Sequence, residues 1–195
     1  MHRAAEINSS MENICKPGHE RIIKWLKWMA PPWPFFKLKT DGARKISGHA
    51  SAVGLIRNYC GEWVHGFGMN IGHCTITGAE LSGLFQRLQL AWNIGIRQLL
   101  VEVDGRCITE ILATDNNHLN AYSSLIQGIK ILLNMEWQVS LSHSYKETNF
   151  AADYLTNQAL LLPLGIHVFP TPPSGTEGWL LHDVSGSAYP RMVVA

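Results

Sequence analysis

The sequence predicts an α/β domain, a five-stranded mixed sheet flanked by helices, with its elements in the order βββαβααβα. Three observations carry this. Three short apolar segments follow one another after the Pro-rich stretch that ends at Pro34. From Ala79 the apolar residues change to three- and four-residue spacing. A short apolar strand over residues 98–103 then opens an alternation of strand and helix.

The first three strands are expected over residues 35–40, 50–58 and 63–70, the last two joined by the turn Tyr59-Cys60-Gly61-Glu62 as an antiparallel meander. Leu81, Leu84, Phe85, Leu88 and Trp92 mark one face of a long helix that Gly95 stops. The fourth strand, Gln-Leu-Leu-Val-Glu-Val, ends at Asp104 and is mostly apolar, as a strand buried in a mixed or parallel sheet must be. A short helix over 106–113 and polar residues 114–117 lead to a longer helix with Leu119, Tyr122, Leu125, Ile126, Ile129 and Leu133 inward. Trp137, Val139 and Leu141 alternate with polar residues as a half-buried strand does. Asn149 is a good N-cap for the last helix, whose stripe is Ala152, Leu155, Ala159 and Leu160.

This places the domain at residues 35–162, with a poorly ordered appendage at 1–34 and a Pro- and Gly-containing tail at 163–195 that has at most local structure. Arg21, Lys24 and Lys27 sit among Trp and Ile, a pattern open to a membrane-surface helix, but eight residues make a poor anchor. Packing on the domain edge is the expectation. A chain of 195 residues can bury a single core without a metal or disulfide staple. With 16 Lys+Arg against 15 Asp+Glu, the net charge of +1 excludes a wholesale polyanion-binding tail, so any nucleic-acid contact must be local. Cys15, Cys60, Cys74 and Cys107 form no CxxC and read as reduced thiols. No apolar run suits a membrane span and no signal peptide opens the chain, so an intracellular, soluble monomer is expected, with nucleus and cytoplasm indistinguishable.

Four acids fall at element ends: Asp41 after the first strand, Asp104 after the fourth, Glu80 in the first turn of the long helix and Asp153 in the first turn of the last. If the first and fourth strands are neighbours, the carboxylates share one cleft, where repulsion asks for shared protons or a hard cation such as Mg²⁺. Two such ions can activate a water and stabilise the leaving oxygen of a phosphodiester. Taken singly, each acid also suits a turn or a helix N-terminus.

The order of elements, together with Lys37-Leu-Lys-Thr-Asp-Gly-Ala43, Gly54-Leu-Ile-Arg57, Thr77-Gly-Ala-Glu-Leu81, Val101-Glu-Val-Asp104 and His143-Ser-Tyr-Lys-Glu-Thr-Asn149-Phe-Ala-Ala-Asp153, resembles the type-1 ribonuclease H domain. The version most similar is that of plant proteins related to non-LTR retroelement reverse transcriptases, which the segment Leu164-Gly-Ile-His-Val-Phe169 also resembles. The resemblance implies a ribonuclease H-like fold and a two-metal endonuclease cutting the RNA strand of RNA/DNA hybrids. Asp41, Glu80, Asp104 and Asp153 would hold two Mg²⁺, with Mn²⁺ as a substitute, and His143 would assist water activation or product release. Gly42, Arg106 and Asn149 would lie near substrate; Arg106 suits a phosphate or a salt bridge to the acids, and Asn149 is also explained by capping.

The chain departs from that pattern in substrate recognition. Lys45-Ile46-Ser47-Gly48 stands where relatives often have Gly-Asn-Pro-Gly, and Ile76, Thr77 and Gly78 stand where they often have polar groups facing RNA 2′-hydroxyls. Arg44, Lys45, Arg87, Lys130 and Lys146 form a loose candidate phosphate rim, while Trp33, Trp63, Trp92 and Trp137 read as core. The alternative to an active enzyme is a weak or silent nucleic-acid-binding module domesticated from a retroelement. A further reading makes the Pro-rich tail a protein-interaction segment.

Overall fold

A computed structural model describes residues 21–114 and 121–194. Its strands are β1 (Arg21–Leu26), β2 (Phe36–Arg44), β3 (His49–Arg57), β4 (Trp63–His73), β5 (Gln98–Val103), β6 (Gln138–His143), β7 (Gly165–Phe169) and β8 (Tyr189–Val194). Its helices are α1 (Ile76–Asn93), α2 (Arg106–Ala113), α3 (Ser123–Leu133), α4 (Phe150–Ala159) and α5 (Glu177–Val184). From β2 to α4 these follow the expected order, although Leu119, assigned to the longer middle helix, lies outside the described residues.

β2, β3 and β4 form the antiparallel meander, and Gly61, at φ +80, makes the turn into β4. β5 then lies parallel to β2 and β6 parallel to β5, so the sheet is mixed, in the order β6-β5-β2-β3-β4-β7. The meander runs further than its apolar pattern indicates. β2 extends to Arg44, which puts Asp41 inside the strand rather than at its end. The helix α1 likewise starts at Ile76, three residues before the apolar recurrence, because the Thr75 hydroxyl accepts a 3.0 Å bond from the Gly78 amide and caps it. Glu80 therefore stands in the second turn of α1, not the first.

One face of the sheet is covered by α1, α2 and α3. Leu38, Ile56, Leu99 and Val101 from the strands meet Leu81, Leu84, Leu88, Ile108, Ile126 and Ile129 from the helices. The other face packs Val53 and Leu55 against Ala151, Ala152, Leu155 and Ala159 of α4, whose small residues let the helix lie close to the sheet. A buried leucine such as Leu84 contributes on the order of 2 kcal/mol through its transfer from water. Trp63, Trp92 and Trp137 are half-buried, the last two meeting edge to face at 5.5 Å, but Trp33 is 73% exposed and is not core. Cys60, Cys74 and Cys107 are free thiols; Cys15 lies outside the described residues.

Among the described residues, 21–26 and 165–194 contribute three strands and a helix where the sequence reading made them appendage and tail. Ile166 and Val168 belong to a sixth strand of the sheet: β7 pairs antiparallel with the open edge of β4, and Leu164 just before it bridges Asn70. Residues 21–26 are a strand, not an amphipathic helix, because β8 supplies an antiparallel partner from the far end of the chain. This ribbon is tied to the domain through Arg57. The buried guanidinium donates to Asp183 Oδ2 at 2.8 Å, to the Leu180 carbonyl at 3.1 Å and to the Gly61 carbonyl at 2.7 Å, and lies 3.9 Å from the Trp28 ring. Such pairing between residues more than a hundred positions apart leaves no local periodicity to read.

Candidate active site

The parallel register of β2 and β5 aligns Lys39 with Glu102. Asp41 and Asp104 each lie two residues further on, so the two carboxylates come together at one end of the sheet. They line both of two adjoining pockets. One, on the α1 face, adds Glu80, Arg87, Gly42 and Gly105; the other, on the α4 face, adds Lys146, Asn149, Phe150 and Asp153. The four acids singled out from sequence are thereby gathered around one sheet end, with Asp153 exposed on the otherwise mostly buried first turn of α4.

Two glycines make room for Glu80. A Cβ on Gly42 would stand 3.1 Å from Glu80 Cγ, and one on Gly105 would stand 2.6 Å from its Oε2. Gly42, expected to lie near substrate, thus has a packing duty: the helix acid can reach the sheet end only past a bare backbone. The Cys107 thiol donates to Glu80 Oε2 at 3.7 Å, a contact the sequence reading did not foresee.

The charge balance is the site's most informative property. Burial, reinforced by the charges of Asp104 and Asp153, pushes Asp41 from 3.8 up to about 7. Burial and Asp104 likewise push Glu80 up. One cation answers them from below. Arg87, read from sequence as part of a phosphate rim, is instead only 1% exposed and sits beneath the acids. It donates through Nη2 to the Asp41 carbonyl at 2.9 Å, and burial lowers it to about 9 against the pull of Asp41, Asp104 and Glu80. Gly54 and Gly83 leave space for it, since a Cβ at either would come within 2.8 Å of its side chain. The spacing was legible: Arg87 lies two helical turns beyond Glu80 on the same face.

Four oxygen-donor acids over a single buried guanidinium leave negative charge in surplus, and a proton on Asp41 partly offsets it. That donor set fits a hard divalent cation. Among the described residues, however, no three His, Cys, Asp or Glu are drawn together into a ready-made metal cage.

Of the remaining expected site residues, Asn149 lines the acid cleft and His143 stands apart from it. His143 ends β6, packs edge to face on Tyr145 at 5.0 Å, and borders a separate groove with Lys24 and Ser144. Asn149 occupies the N-cap position of α4, but its side chain does not cap. Its backbone, at φ −132 and ψ 20, turns the amide toward the sheet, where Nδ2 donates to the Thr40 carbonyl at 3.2 Å. Asn149 therefore fastens α4 to β2 one residue from Asp41. Arg106 opens α2, and its side chain lies outside what the structure describes.

The family model described as reverse transcriptase-like matches residues 39–159, from within β2 to the end of α4. The chain belongs to the reverse transcriptase-like family, of ribonuclease H type. An Arabidopsis thaliana protein named for ribonuclease H is 36% identical over 190 residues, which is 97% of this chain but 30% of that protein. The chain thus spans about 30% of the length of this curated relative. Among solved structures, the ribonuclease H1 of the archaeon Halobacterium salinarum is 26% identical, with a TM-score of 0.58 over 65% of this chain and 97% of that one. A ribonuclease H1 from a compost metagenome, solved in complex with an RNA/DNA hybrid, is 22% identical and shares the fold at a TM-score of 0.57, over 64% of this chain and 96% of that one. The segments β1, β7, α5 and β8 lie outside the reverse transcriptase-like match, whereas the Arabidopsis alignment takes in nearly the whole chain.

Proposed function

We propose that this chain is a Mg²⁺-dependent nucleic-acid hydrolase that cuts the RNA strand of RNA/DNA hybrids. The observation that carries the reading is the juxtaposition of Asp41, Glu80, Asp104 and Asp153 above buried Arg87, a carboxylate surplus that a polyanion could approach only with cations in between. The archaeal and compost ribonucleases H1 of the same fold, one of them solved with a hybrid, support the substrate class.

Asp41, Glu80, Asp104 and Asp153 would hold the ions, which when bound supply water activation and leaving-oxygen stabilisation at a phosphodiester. The remaining tasks belong to the chain. Arg87 fixes the backbone of Asp41 and limits repulsion among the carboxylates. Asn149 holds α4, and so Asp153, against β2. Lys146, exposed at the rim of the cleft, offers a point charge for a backbone phosphate. The His143 imidazole, one loop away, would assist water activation or product release.

A second reading, a binding module without turnover, is favoured by one observation: among the described residues the acids do not close into a cage. One experiment separates the two. An end-labelled hybrid is incubated with purified wild type and Asp104→Asn in Mg²⁺ or EDTA, beside duplex RNA and duplex DNA. The proposal expects Mg²⁺-dependent cutting of the hybrid alone, lost in the variant. Hybrid binding with no cutting by wild type would establish the second reading instead.

A further inference from the structure

The loop over residues 144–149 divides two clefts. On one side lie the acids; on the other is a groove whose wall includes Lys24, Lys27, Trp28, His143, Ser144 and Tyr145. The β1 side of this groove comes from residues outside the reverse transcriptase-like match.

Its charge is unbalanced in the opposite sense to the acid cleft. The single carboxylate in its lining, Glu102, is already answered twice, by Lys37 Nζ at 2.6 Å and Lys39 Nζ at 2.5 Å. Lys24 stands directly across the β1–β8 ribbon from Arg191, and like charges in that register repel. Arg191 is answered by the Glu147 carboxylate, at 2.9 Å to each oxygen. Lys24 and Lys27 are both exposed, and neither is paired with an acid among the described residues. The wall also holds hydrogen-bonding groups to spare, since the Ser144 hydroxyl and the Trp28 indole N–H are buried without a partner.

A surplus of ammonium groups, spare donors and an ionically satisfied floor describe a site for an anion. We propose that this groove takes the phosphodiester backbone of nucleic acid where it leaves the acid cleft, with Lys24 and Lys27 as its phosphate contacts. The inference rests on the acid cleft being a nucleic-acid site, because the two clefts meet along the 144–149 loop and one strand can cross it. Such contacts read charge and not sequence. They would add to the phosphate contact that Lys146 offers in a chain of net charge only +1.

The test is fluorescence anisotropy of labelled RNA/DNA hybrid, duplex DNA and single strands in EDTA, titrated with salt. The proteins are the full chain, Lys24→Gln/Lys27→Gln, Lys27→Gln alone, and Arg97→Gln, an exposed cation at the opposite end of β5 from Asp104. Removing Lys24 relieves its repulsion with Arg191, so the pair variant should fold. The proposal expects the pair to weaken binding on the order of tenfold near 0.1 M salt and to lower the salt slope by about 2, the single variant by about half of that, and Arg97→Gln to change neither. An unchanged affinity and slope in the pair, or an equal loss in Arg97→Gln, would overturn it. Failure of wild type to bind any of these nucleic acids in EDTA would overturn this proposal but not the hydrolase reading, which needs Mg²⁺ at the acids and is decided by the cleavage assay. Groove-dependent binding without Mg²⁺-dependent cutting would defeat only the hydrolase.

Discussion

Arg87 Nη2 donates to the main-chain carbonyl of Asp41, not to its carboxylate, across 2.9 Å of buried space. The strand position of Asp41 is thereby held from below while its carboxyl group stays available above. The guanidinium also remains a long-range counter-charge to Asp104 and Glu80.

Replacing Arg87 with Met keeps volume but strands the Asp41 carbonyl and leaves three acids uncompensated. Urea unfolding in EDTA at pH 7 should show a loss of about 3 kcal/mol. Arg87→Lys should recover only part, since a point charge cannot replace the planar donor fork. A midpoint within error of wild type for Arg87→Met would remove Arg87 from this role.

Asp41 carries the pH dependence. Its folded value of about 7 lies above the ordinary 3.8, so the folded chain binds the extra proton and loses stability as pH rises through that interval. The penalty is absent below about pH 4, complete above about pH 7, and amounts to about 4 kcal/mol. Asp41→Asn cannot ionise. In EDTA it should be more stable than wild type at pH 8 and no more stable at pH 4, as read from denaturation midpoints; equal midpoints at pH 8 contradict the assignment.

Gly105→Ala tests the seat of Glu80. The added methyl meets Glu80 Oε2 at 2.6 Å, and because that is the free end of a side chain the carboxylate moves while the backbone stays. Cleavage should fall on the order of 100-fold with an unfolding midpoint close to wild type. Undiminished cleavage would mean that Glu80 is not needed where it stands.

Asp183→Ala removes the counter-charge of Arg57 and leaves a guanidinium buried between Trp28 and α5. A loss of about 3 to 5 kcal/mol is expected, with proteolysis within α5 and β8 preceding cleavage of the β2–α4 domain. Uniform digestion of the whole chain would show that the ribbon is not a separately anchored unit.

The meander, the long helix, the βα alternation and the acids at Asp41, Glu80, Asp104 and Asp153 were legible from sequence because each is local. Periods of 2 and 3.6 report which side of an element is buried, and Asp41 and Asp104 follow apolar runs that any reader can align. Arg87 was misplaced because a charged residue on an apolar helix face reads as solvated until Gly54 and Gly83 are seen to clear a slot for it. Asn149 was read as a cap because capping residues are recognised by type, while its actual bond goes to Thr40, far away in the chain. The flanks were read as tails for the same reason: β1 has no partner within its own neighbourhood, and its pairing with β8 depends on the domain between them bringing the two ends together. Sequence by itself determined the layer order and singled out the candidate acids, through residue type and period, while its motifs carried the family resemblance. Only the tertiary structure decided how their charge is balanced, because burial and the distances between groups remote in the chain set electrostatic energies.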